Sequence, residues 1–142
     1  MTGERVFVDT NILVYAYDAH AGQKRRDARA HLRHLWETET GSLSTQVLQE
    51  FYVTVTRKLT APLSTRTARE IIATYRTWPV HRPDVDDLLA ASELQERDRL
   101  SFWDAVVVVS AQRSGASTLL TEDLQAGRRF EELLVVNPFD DK

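Results

Sequence analysis

The chain is predicted to be an α/β protein, a parallel sheet with helices on both of its faces. One observation carries that prediction, that short apolar strand-like runs alternate with longer helix-spaced segments; a second, that carboxylates stand just after two of the runs, bears on where such a sheet would hold a site. A third concerns organisation. No repeat, low-complexity stretch or linker interrupts the 142 residues, so a single domain over residues 1–142 is expected.

Arg5 to Asp9 carries Val6, Phe7 and Val8 and reads as a short buried strand ending on a carboxylate. Thr10 and Asn11 follow, then the apolar segment Ile12 to Tyr17. From Lys24 to Glu37, Ala28, Leu32, Leu35 and Trp36 share one helical face. Gly41 marks a break before a short strand at Ser42 to Ser44, and Ser44 can cap a helix running from Thr45 to Lys58. Beyond Pro62, Ser64 or Thr65 begins a helix with Ala68, Ile71, Ile72 and Tyr75 on its apolar side. Trp78 to His81 is a weaker strand, and Pro83 and Asp84 announce another helix with Asp87 in its first turn.

SFWDAVVVVSAQRSG reads two ways. Its four consecutive valines favour a strand. Ser101 and Asp104, however, are spaced like a capping box, Gly115 stands where a helix would stop, and the run is long for a strand. A buried helix is the expectation. Thr118 to Thr121 and Leu133 to Val136 close the chain as two strands, with a further helix expected between them.

The composition, 42% hydrophobic and 27% charged, is that of a folded globular chain. Without cysteine there is no disulfide framework and no cysteine-based zinc site. The N-terminal segment meets Glu4, Arg5, Asp9 and Asp18 too early for a signal peptide, and no stretch approaches a membrane span, so a cytoplasmic protein is expected. The net charge of −3 is unusual for a nucleic-acid binder, but two bound divalent cations would reverse its sign.

Asp9 and Asp123 follow strands, and in open α/β sheets sites form at the carboxyl ends of strands. Asp104 opens an otherwise apolar helix, and Glu50 shares a helix face with Val47, Phe51 and Thr54. Carboxylates gathered in this way repel one another until they take up protons or bind hard cations. Magnesium and manganese prefer such oxygen ligands, and a bound ion of this kind suits phosphodiester hydrolysis.

Each residue also has a plainer account. Asp9 can be a helix cap, Asp104 a first-turn charge, Glu50 a peripheral helix charge and Asp123 a turn residue. Arg25, Arg29 and Arg33 form an i, i+4, i+8 row that reads first as a solvated face, with a phosphate-facing stripe the alternative. His31 and His34 read as surface residues, and Trp36, Trp78 and Trp103 as core or interface anchors.

Four segments in order, VDTNIL at Val8–Leu13, STQVLQEF with Glu50, SFWDA with Asp104 and LLTEDLQAG with Asp123, together with the closing NPF at Asn137–Phe139, resemble the PIN-domain family and, within it, the ribonuclease toxins of VapBC-type toxin–antitoxin pairs. The resemblance covers essentially the whole chain. It implies a three-layer α/β/α fold with a five-stranded parallel sheet of order 3-2-1-4-5. It implies Mg²⁺ or Mn²⁺ held mainly by Asp9 and Asp104, Glu50 and Asp123 completing the acidic cluster, and Thr10, Asn11 and Thr121 supporting it by hydrogen bonds. An RNA substrate, a small inhibitory antitoxin and a homodimer follow from the same source, the dimer with added weight from the exposed-looking aromatics Tyr52, Tyr75 and Trp78. A phosphotransfer receiver fits less well, because no lysine follows the last strand; a nucleophilic-aspartate phosphatase would want an aspartate where Asn11 stands.

Overall fold

The computed structural model describes residues 4–139. Its elements are β1 (Val6–Val8), α1 (Thr10–Ala16), α2 (Gln23–Thr38), β2 (Gly41–Ser44), α3 (Thr45–Arg57), α4 (Thr65–Tyr75), β3 (Val80–His81), α5 (Val85–Asp98), α6 (Phe102–Arg113), β4 (Thr118–Leu120), β5 (Arg129–Phe130) and β6 (Leu133–Val136). The strands form one sheet of order β3-β2-β1-β4-β6-β5. β3, β2, β1, β4 and β6 run parallel, which is the expected five-strand order counted along the parallel strands; β5 adds an antiparallel edge to β6.

Helices flank this sheet, with α2, α3 and α6 against β2 and α6 reaching β4 as well. The caps read from the sequence are made. Ser44, Ser64 and Ser101 accept from the backbone N–H groups of Val47, Thr67 and Asp104, and Asp84 with Asp87 forms a reciprocal capping box. The valine run is helical, and the environment decides it: Ala105 through Ala111 are all buried, so α6 needs no polar face and intrinsic strand propensity is overridden.

Two expectations fail. No helix joins β4 to β6. The connection from Glu122 to Glu132 buries only Leu124 ahead of Phe130, too little for an amphipathic face, and Gly127 at φ +86° and Glu131 at φ +58° turn the chain into the β5–β6 hairpin instead. The aromatics Tyr75 and Trp78 are not exposed. They are buried and pack with Trp36 at ring-centroid separations of 4.9–5.2 Å, so they supply no dimer surface; Tyr52 is half-buried against the core. Among the described residues, no helix is long and apolar enough to cross a membrane.

Candidate functional site

The chain enters the sheet at β1, lays β2 and β3 on one side, and returns to place β4 on the other. The reversal leaves a crevice at the carboxyl ends of β1 and β4, where ligands bind in open α/β sheets. Asp9 is the residue after β1, and Thr121 to Asp123 follow β4. The Asp9 N–H donates to the Leu120 carbonyl at 3.0 Å, so both strand ends are locked at the same level.

Asp9 is buried, 4% exposed. One carboxylate oxygen accepts from the Thr10 N–H at 2.7 Å, as the cap of α1, and the other from the Thr121 hydroxyl at 2.8 Å. Burial pushes its pKa up to about 7; the two hydrogen bonds pull it down, and the charges of Asp123 and Glu50 push it further up. The plain capping account is thus geometrically true, but it leaves a desolvated carboxylate with like charges around it.

Glu50 reaches the site from α3 and accepts from the Thr10 hydroxyl at 2.9 Å. Asp123 lies on the exposed loop after β4 and accepts from the Asn11 amide at 3.0 Å, while its own N–H donates to Thr121 Oγ1 at 3.0 Å. Asn11 also donates to Thr121 Oγ1 at 3.2 Å and accepts from the Glu122 N–H. Asp104 is half-buried in the first turn of α6; burial raises its pKa, and the charges of Asp123 and Glu50 add to that, against a Ser101 hydrogen bond. Asp9 and Asp104 therefore each feel the charges of Glu50 and Asp123, and Thr10, Asn11 and Thr121 are hydrogen-bonded within the cluster.

The acids do not form a closed cage. Among the described residues, no group of three or more His, Cys, Asp or Glu side chains stands close enough to hold one ion as it is. The all-oxygen donor set and the raised carboxylates fit a hard divalent cation.

Two contributors escaped the sequence reading. Gln46, 7% exposed, donates its amide at 3.3 Å both to Glu50 and to the Trp103 carbonyl, tying α3 to the start of α6. Its position one turn before Glu50 was the available signal. Glu122 is held by Lys24 at 2.8 Å and by the Tyr15 hydroxyl at 2.6 Å, which straps the Asp123 loop to α1 and α2. Beside the acids a cleft of about 600 Å³ runs between α1 and α3, from Asp123 and Glu50 past Val14 and Val53 to Lys58. His31 and His34 are exposed, as expected, and Arg29 donates to the Ala16 carbonyl at 2.6 Å rather than pointing at the site.

A parallel α/β sheet with carboxylates gathered at its topological switch point defines the class: an acidic-centre protein of the three-layer type. The PIN domain family model matches residues 6–131, and the chain belongs to the PIN-domain family. No curated protein matches it in sequence. Solved structures share its fold at low identity. A toxin–antitoxin complex from Klebsiella pneumoniae aligns with TM-score 0.69 at 18% identity, over 96% of this chain and 99% of that one. The FitAB structure bound to a DNA fragment aligns with TM-score 0.72 at 15% identity, over 96% and 97%. Mycobacterium tuberculosis VapC20, a Sarcin-Ricin loop cleaving toxin, aligns with TM-score 0.58 at 23% identity, over 80% and 86%.

Proposed function

We propose that this chain is a Mg²⁺- or Mn²⁺-dependent endoribonuclease, the toxin of a toxin–antitoxin pair, acting in the cytoplasm. The observation that carries the reading is the gathering of Asp9, Glu50, Asp104 and Asp123, from four separate elements, around a buried carboxylate whose pKa stands at about 7.

Asp9 and Asp104 are the residues to hold the cation, with Glu50 and Asp123 orienting it or its waters. When bound, such an ion lowers the pKa of a water and neutralises charge on a phosphoryl oxygen. The chain's own groups prepare that chemistry. Thr10 N–H and Thr121 Oγ1 fix both oxygens of Asp9, so its carboxylate cannot rotate when a ligand arrives. Asn11 and Thr121 hold Asp123, and Thr10 and Gln46 hold Glu50. Burial of Asp9 keeps bulk water from competing at the charge-bearing oxygens.

The partners follow the same reading: RNA as substrate, a small antitoxin, and a second copy of the chain. The antitoxin is supported by the fold shared with the Klebsiella toxin–antitoxin complex, and a basic side chain entering the acidic centre is the simplest inhibitory device. Cleavage of a structured RNA by purified protein, with and without EDTA, tests the activity. Wild type should cut only with cation, and Asp9→Asn should lose nearly all cleavage while remaining folded. Cleavage indifferent to EDTA or equal in the two proteins would sink the reading.

A further inference from the structure

Trp103 is 65% exposed, and it is the one exposed aromatic among the large hydrophobic residues of the described chain. Trp78 is buried and Trp36 half-buried, both engaged with Tyr75. Of the two sequence readings of Trp103, core or interface anchor, its exposure excludes the first. An indole this open presents a broad π-face to solvent beside the acidic centre.

Its placement is specific. Trp103 immediately precedes Asp104 in the first turn of α6. Its carbonyl accepts from the buried Gln46 amide, which also holds Glu50, so the backbone under the indole is fixed relative to two acids of the centre. The Phe102 ring braces it at 5.6 Å with the planes at 71°, and Phe102 packs on the core.

We propose that Trp103 is a stacking platform for one nucleobase of an RNA strand whose neighbouring phosphodiester lies at the acidic centre. The proposal rests on the ribonuclease reading above. Charge favours this role. Asp9, Glu50, Asp104 and Asp123 repel a phosphate backbone until a cation is present, and the basic residue on the adjoining cleft wall is Lys58, at its far end. Contact between a π-face and a base is indifferent to that repulsion and tolerant of sequence. A base held beside Asp104 supplies affinity at the one place where the backbone itself is disfavoured.

Two probes test it: a short labelled oligoadenylate, and an abasic ribose-phosphate strand of equal length, both titrated in EDTA so that neither is cut. Wild type should bind oligoadenylate the more tightly, and binding should quench tryptophan emission. Trp103→Ala should weaken oligoadenylate binding about tenfold and leave the abasic strand unaffected. Trp103→Phe should retain part of the preference and lose the quenching, while Trp36 and Trp78 remain to report that the fold is intact. Equal weakening on both strands, or no weakening on either, overturns the proposal. So does unchanged RNA binding by Trp103→Ala with loss of self-association in light scattering, which would make the indole a protein contact. Cation-dependent cleavage by wild type, assayed separately, distinguishes these failures: if cleavage persists, stacking alone is wrong, and if wild type cuts no RNA, the ribonuclease reading falls and the platform with it.

Discussion

Gln46 and Glu50 stand one turn apart on α3, and the amide nitrogen of the first is shared between Glu50 Oε2 and the Trp103 carbonyl, each at 3.3 Å. An amide in this position must present its nitrogen, because its oxygen would meet a carboxylate and a carbonyl, both acceptors. Gln46→Glu is therefore expected to set two acids against each other, lowering stability by about 1–3 kcal/mol and RNA cleavage by an order of magnitude or more. Gln46→Leu, without the added charge, should cost less stability and still slow cleavage. Chemical denaturation with single-turnover kinetics on both variants checks this; a pair with wild-type kinetics would remove Gln46 from the site.

Asp9 gives the metal-free protein a pH dependence of defined sign. Its folded pKa of about 7 lies above the 3.8 of an exposed aspartate, so over that window the folded chain retains a proton that the unfolded chain has released. The Asp9 contribution is therefore greatest below 3.8, falls as pH rises towards about 7, and levels off beyond. Asp9→Asn should flatten this decline and be more stable than wild type under alkaline conditions. Added Mn²⁺ should raise the wild-type melting temperature there by binding only the folded state, and should do much less for the variant. A wild-type melting curve unmoved by saturating Mn²⁺ would refute the cation site.

Asp87 behaves in the opposite sense, for structural reasons. Burial alone would raise its pKa, but His81 at 2.7 Å, the Asp84 N–H at 3.1 Å and the nearby charges of His81 and Arg113 hold it below the ordinary carboxylate value. Its contribution is present above the unfolded pKa and disappears as pH falls through the lower folded one. Asp87→Ala should cost about 1–3 kcal/mol near neutrality, since it removes a buried carboxylate's hydrogen bonds with His81 and Arg113 and half of the α5 capping box. Denaturation profiles of the two proteins should converge in strong acid; curves that stay parallel would show that the charge is not the cause.

Gly41 is present because of Trp78. A Cβ on Gly41 would sit 2.5 Å from the nearest atom of that indole, which is packed between Trp36 and Tyr75 and cannot yield. Gly41→Ala should destabilise by about 1–3 kcal/mol. In a Trp78→Leu background the same change should cost far less, because the two residues contend for one space. Additive losses in a double-mutant cycle would disprove the clash.

Much of this is legible in the sequence. The caps at Ser44, Ser64, Asp84 and Ser101 are local chemistry, written where the helices begin. The acids could be placed because Asp9 and Asp123 follow apolar strands. What resisted reading was non-local. Tyr75 and Trp78 look like surface aromatics until α2 brings Trp36 against them, and Trp103 is exposed because it stands in the first turn of α6, ahead of the buried run Ala105–Ala111. Gln46 has an ordinary sequence context; its role exists only because the start of α6 lies across from α3. The β4–β6 connection misled for lack of signal, since one Gly and a positive-φ Glu131 do not announce a hairpin.

The central place of β1 has a consequence for when the acidic centre can form. β1 is the first strand made, and its neighbour β4 begins at Thr118. A growing polypeptide that has emerged only as far as α5 carries Asp9 and Glu50 but neither Asp104 nor Asp123, and its first strand still has one open edge. A prefix that stops short of β4 lacks Asp123 and cannot gather the four acids. If the chain is a toxin, its harm is withheld through most of its own synthesis, and a partner arriving at the ribosome has that interval in which to be ready.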